Sequence, residues 1–110
     1  MSKKNVVKCN YADTPEPRLV GGLVCLRTPM PLTIRKGQTI PVSTQVKFDC
    51  PVLIVGHFQK TVKVVNASDV VMPGQQVQAE LEALEDMMFE RGDTVVMVVP
   101  LTSTEVSFEP

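Results

Sequence analysis

The chain has 110 residues, enough for one domain and too few to close a second hydrophobic core. Eleven Lys and Arg against twelve Asp and Glu leave a net charge of -1, which removes any global electrostatic reason to bind nucleic acid. Nineteen Val and nine Thr, punctuated by nine Pro and six Gly, favour pleated surfaces over helices and exclude a coiled coil, a disordered tail or a large enzyme.

Taken in order, residues 1–18 read as an arm or extended lead-in, because their lysines, Asn10, Asp13 and the Pro15-Glu16-Pro17 unit disfavour a packed element. The body of the domain is expected over 19–103. Residues 19–26 (LVGGLVCL) predict a first strand, weakened or bulged at Gly21 and Gly22. Pro29 and Pro31 bound a short connection, 32–35 reads as a strand, and Lys36-Gly37 as a turn. The clearest alternation follows: Ile40, Val42, Thr44, Val46 and Phe48 share one parity, as a half-buried strand requires.

Asp49-Cys50-Pro51 interrupts that run, VLIVG follows, and Gly56-His57 changes direction. Residues 61–65 predict another strand, 66–69 a polar loop, and 70–72 lead into the Pro73-Gly74 turn. The next segment points two ways. Val77, Leu81, Leu84 and Met88 have helical spacing, while Val77, Ala79, Leu81 and Ala83 alternate as a strand does; local sequence alone leans helical. Residues 90–93 make a turn, 94–99 a dense apolar strand, and Pro100 ends it. Residues 104–110 form a final strand or arm, suited to pair with another subunit and close an open edge. Three phrases, beginning at Gly37, Gly74 and Gly92, each set a glycine turn before a strand; their unequal spacing reads as reused turn chemistry.

Three cysteines at 9, 25 and 50 include no C-x-x-C pair, which fits reduced thiols inside a cell, in cytoplasm or nucleus, better than a disulfide framework. No apolar run approaches the roughly 20 residues that span a bilayer, and the first ten residues lack the apolar stretch of a secretory signal. No membrane association and no structural metal are expected. Trp is absent and the five remaining aromatic residues are scattered, so there is little from which to build a nucleic-acid stacking platform.

The near-zero charge conceals a partition. Through Val65 there are ten basic and three acidic residues, or +7; from Asn66 on there are one and nine, or -8. Such asymmetry can orient partners, unless the halves interleave in space. The acidic run Glu80, Glu82, Glu85, Asp86, Glu90 and Asp93 is explained by solvent exposure more simply than by a cation site. His57 has no evident nucleophile or orienting carboxylate beside it, and Asp49 works against a reactive Cys50 thiolate.

The order of the phrases resembles the trimeric dUTPase superfamily over about 21–101: GGLVCL, PLTIRKGQTIPVSTQVKFDCPVLIVGHF, SDVVMPGQQVQAEL and FERGDTVVMVVPL. The resemblance implies a compact all-β barrel or jelly-roll-like domain, a homotrimer, and strand for 75–84 with 85–89 as connection or a short helical turn. It maps the family's water-activating aspartate onto Asp69 and the glycine after it onto Gly74, but Met72 and Pro73 fill the tyrosine and arginine places. The first-strand aspartate, the phosphate-binding Arg-Ser-Gly phrase and the Gly-rich aromatic closing motif are missing.

A triphosphate needs concentrated positive charge and Mg²⁺, and uracil needs a shaped polar pocket. Asp69 alone supplies neither. The expectation is therefore a nonenzymatic interaction or assembly protein, homo-oligomeric, binding an unidentified protein partner, needing no cofactor, and acting as a viral accessory, structural or virion-associated protein. The alternative is a divergent Mg²⁺-dependent dUTP or related nucleotide pyrophosphatase, with Asp69 positioning water and Lys60 and Arg91 near phosphate. A nucleic-acid-binding β-barrel using the basic half stands third.

Overall fold

The structure, a computed structural model, describes residues 6–11, 14–102 and 105–110. All twelve elements among them are strands. One five-stranded sheet has the order β12 (Glu105–Glu109), β1 (Val6–Tyr11), β5 (Thr39–Phe48), β9 (Gln76–Ala83), β7 (Val62–Val64). The other runs β2 (Arg18–Val20), β3 (Leu23–Arg27), β11 (Thr94–Pro100), β6 (Val52–Gly56), β8 (Val70–Val71). A small ribbon of β4 (Leu32–Ile34) and β10 (Met87–Phe89) completes the set. The architecture is all-β and jelly-roll-like.

The core lies between the two large sheets. From the first come Val42, Val46 and Phe48 of β5 and Val77, Ala79, Leu81 and Ala83 of β9; from the second come Val24, Leu26, Val52, Ile54, Val96 and Val98. The β5 alternation places Val42, Thr44, Val46 and Phe48 inside, with Ile40 half-buried. Its pairing with β9 nevertheless slips: Ser43 faces Gln78 and Lys47 faces Gln76, so β5 carries two extra residues. An even insertion preserves parity, which is why the sequence period runs unbroken through a bulge. Gln45 at its centre adopts φ 59°. The buried Thr44 hydroxyl donates to the Val77 carbonyl at 2.8 Å, replacing a ladder bond lost there.

Four readings are corrected. LVGGLVCL is two strands, β2 and β3: Val20 pairs with Leu23 across Gly21 and Gly22, at φ 57° and 82°, the two left-handed positions of a two-residue hairpin turn. The helical lean of the local sequence gives way to the strand the resemblance implied for 75–84: it is β9, because β5 and β7 flank it and its alternate residues fill the core. Residues 87–89, expected as connection or helical turn, are strand β10, paired in register with β4 so that Phe89 is buried. Within the lead-in, Val6–Tyr11 is a packed strand; Val7 and Cys9 alternate with Lys8 and Asn10, and the lysines masked that period.

The carboxy-terminal segment contains β12, parallel to β1, with Val106 and Phe108 against the core. The 103/104 boundary and the lysines at 3 and 4 lie outside the described residues. The charge partition dissolves in the first sheet, where basic-half β5 and β7 flank acidic-half β9 and Lys63 stands opposite Glu82.

Candidate functional site

Asp69 lies in the connection from β7 to β8. Its N–H donates to the Asn66 carbonyl at 3.2 Å and its carbonyl accepts from Ile54 N–H at 2.9 Å, while Ser68, at φ 76°, donates to Ile54 O at 2.7 Å. The backbone of Asp69 is therefore clamped to β6, and its side chain is exposed with no hydrogen bond or ion pair to a described residue. Asn66 does the positioning: its amide donates to Gln78 O at 2.8 Å and accepts from Glu80 N–H at 3.0 Å, docking the connection on the edge of β9. Sequence reading passed over Asn66 as loop polarity. An Asn three residues before Asp69 was the available signal.

Downstream, Gly74 N–H donates to Phe48 O at 2.9 Å, and Met72 and Gln75 close the turn on each other. Met72 and Pro73 point to solvent. They hold the tyrosine and arginine places of the resemblance with side chains that neither donate a hydrogen bond nor carry charge.

Lys60 belongs to the loop from β6 to β7, which His57 anchors. The His57 Nδ1 accepts from Gln59 N–H at 3.0 Å, so the ring proton is on Nε2, which donates to Thr94 O at 2.8 Å. The ring stacks on Phe58 at 4.7 Å and meets the edge of Phe89 at 5.9 Å. Burial lowers the His57 pKa, partly opposed by its bond to Thr94. The histidine is a structural clamp with both nitrogens occupied. Arg91 stands in the turn between β10 and β11, held by Glu90 N–H to Asp93 Oδ2 at 2.8 Å.

The loops bearing Lys60 and Arg91 flank a cleft of about 180 Å³ lined by Phe58, Gln59, Met88, Phe89, Asp93 and Thr94. Neither cation lines it, and no hydrogen bond or ion pair joins either one to Asp69. The fold brings the two loops to one cleft. The acidic run is dispersed: Glu80 and Glu82 lie along β9, and Asp86 accepts from Lys36 N–H at 2.8 Å. No three His, Cys, Asp or Glu groups gather as a metal site among the described residues.

Two larger concavities were not foreseen. One of about 730 Å³ covers the β5 bulge and is lined by polar groups including Asn10, Ser43, Lys47, Gln76 and Glu109. The other, about 320 Å³, opens on the outside of the second sheet between Arg18, Val20, Leu23, Cys25, Phe58 and Met97. Cys9, Cys25 and Cys50 are all free and buried, and burial pushes the Cys9 thiol up to about 12. No helix among the described residues is long and apolar enough to cross a membrane.

This sandwich of two five-stranded sheets, with the Asp69 connection clamped to one of them, is a dUTPase-like fold. A mutant dUTPase of phage phi11 of S. aureus, solved for its coordination of a structural Mg(II) ion, superposes at TM-score 0.70 with 8% identity, over 94% of this chain and 95% of that one. A Staphylococcus bacteriophage 80alpha dUTPase mutant with dUpNHpp gives 0.69 and 9%, over 94% and 88%. The 80alpha enzyme itself gives 0.66 and 7%, over 94% and 96%. No family model and no curated protein matches the sequence. The likeness is one of fold.

Proposed function

We propose that the chain is a self-associating interaction or assembly protein on a dUTPase-like scaffold, without dUTP hydrolysis of its own. The observation that carries this is the 69–74 connection: the exposed Asp69 carboxylate has no hydrogen bond or ion pair to a described residue, and Met72 and Pro73 fill the places where the resemblance puts a tyrosine and an arginine. A triphosphate needs concentrated positive charge, which Asp69, Met72 and Pro73 do not supply. Asp69 is the one carboxylate within 69–74, fewer oxygen ligands than a Mg²⁺ site draws from carboxylates and phosphates together. The phage neighbours support a viral role, as an accessory or structural protein acting inside the host cell or in the particle. Interleaved charge on the first sheet supports protein partners over nucleic acid.

The competing reading is a divergent dUTP or related pyrophosphatase. It is favoured by similarity to dUTPases across nearly the whole chain and by Asp69 and Gly74 keeping the family separation on a well-anchored turn. Incubating the chain with dUTP and a nucleoside triphosphate panel plus Mg²⁺ decides between them. No pyrophosphate above buffer is the expected result. Turnover that disappears in Asp69→Asn would establish the enzyme.

A further inference from the structure

The outer side of the first sheet carries a polar row. Glu109, Asn10, Lys47 and Gln76 stand opposite one another in turn across β12, β1, β5 and β9. Adjacent strands lie ~4.8 Å apart, so the row spans about 14 Å. All four side chains line the cavity of about 730 Å³ at the β5 bulge, and the half-buried Tyr11 adds a phenol to its wall. Ser43 Oγ donates to Gln76 Oε1 at 3.1 Å, which holds that amide and leaves its NH₂ group to donate elsewhere. The Asn10 amide, the Lys47 ammonium and the Glu109 carboxylate make no hydrogen bond or ion pair to a described residue. The bulge brings a third amide. Gln45 lines the cavity at φ 59°, a left-handed position that Gly or Asn fills with less strain. Strained backbone and bulges that re-aim a side chain both concentrate at binding sites.

We propose that this basin binds a neutral saccharide, a short oligosaccharide lying along the row. The ligand class follows from the groups that line it. A sugar hydroxyl both donates and accepts, and so do the amides of Asn10, Gln45 and Gln76 and the hydroxyls of Ser43 and Tyr11. An anion such as phosphate only accepts at full charge, and here it would meet one ammonium offset by the Glu109 carboxylate. A divalent cation would meet that single carboxylate with Lys47 in the same cavity. An apolar ligand would strand the amides without partners. An extended peptide seeks the unpaired backbone of a strand edge, whereas β1, β5 and β9 are each paired on both sides. A saccharide satisfies all of these groups. Its hydroxyls replace water on the amides, Lys47 donates, Glu109 accepts from a pair of neighbouring hydroxyls, and the Tyr11 ring offers an apolar surface to the C–H face of a sugar.

Titration of the ¹⁵N-labelled full chain, followed by ¹H–¹⁵N NMR, tests this with cellotriose, maltotriose and chitotriose, and with deoxyuridine and inorganic phosphate beside them. At least one trisaccharide should shift the side-chain amides of Asn10, Gln45 and Gln76 and the backbone of 43–47, saturating by ~10 mM as a millimolar Kd requires. Asn10→Ala and Gln76→Ala should each weaken that binding about five-fold, the loss of one neutral hydrogen bond. Both residues are exposed, so the variants keep the fold, and the dispersion of the same spectra verifies it. Lys63→Ala, on β7 and outside the cavity, should change nothing. No response to any of the three trisaccharides overturns the proposal, as do shifts that map away from the basin. So does an equal response of the same amides to phosphate or deoxyuridine. The hydrolysis assay is independent of all these outcomes.

Discussion

The guanidinium Nε of Arg27 donates to the carbonyl of Gly92 at 2.7 Å, fastening the end of β3 to the turn that launches β11. Around this bond, Gly92 N–H donates to Thr28 O and Thr28 N–H to Asp93 O, both at 2.9 Å, while Arg27 Nη1 reaches Glu16 O at 3.1 Å. One side chain thus ties the 90–93 turn and the segment entering β2 to the second sheet.

Gly92 has φ 94°, and a Cβ there would lie 3.1 Å from Arg27 Nη2. Gly92→Ala therefore meets a left-handed backbone penalty and crowds the guanidinium. It should cost about 1–3 kcal/mol, a loss of several degrees in Tm in thermal unfolding. Arg27→Ala should add little on top of it, since the two changes dismantle the same junction.

Thr44 is fully buried inside the β5 bulge, where its hydroxyl meets the Val77 carbonyl. Thr44→Val keeps the shape and leaves that carbonyl without a donor, at an expected cost of about 1–3 kcal/mol in urea unfolding. Thr44→Ser keeps the donor and should lose less. Equal losses would mean that packing of the γ-methyl outweighs the hydrogen bond.

The β5 core residues and the glycine turns at Gly37, Gly74 and Gly92 were legible because period-two burial and positive φ each leave a direct mark on residue type. β9 was ambiguous locally, since Val77, Leu81 and Leu84 satisfy helix spacing as well; pairing with β5 and β7 decides it, and pairing is not a local property. The Gly21-Gly22 hairpin was misread because two glycines weaken a strand and make a turn equally well. Asp69 stood out as a candidate only through the family phrase. Asn66, which fixes the connection, and the clamp from His57 to Thr94 depend on contacts 12 to 37 residues apart.

His57 makes stability depend on pH with a definite sign. Burial lowers its folded pKa below the ordinary value of about 6.5, so the unfolded chain takes the proton first as pH falls. The contribution is whole above the unfolded value and is lost as pH drops from there through the lowered folded one. Protonation would also convert Nδ1 from acceptor to donor and break its bond with Gln59 N–H. Chemical denaturation between pH 7 and 5 should show stability falling in the wild type and a flatter profile in His57→Gln. A wild-type profile as flat as that of H57Q would contradict the clamp.

β12 is the partner of β1 on the side away from β5, and Val106 and Phe108 pack beside the buried Val7 and Cys9. Cys9 owes its raised pKa to burial, so its thiol reports whether that cover is in place. Removing 105–110 should open the β1 edge and expose Cys9, bringing its pKa down toward the ordinary thiol range near 8.5. Thiol titration at pH 8 should then find Cys9 reactive in the truncated chain and silent in the full one. Phe108→Ala should act in the same direction with less effect, costing about 1–3 kcal/mol because the ring is only partly buried. If Cys9 stays silent after truncation, β1 is held by β5 alone and β12 contributes no protection to the core.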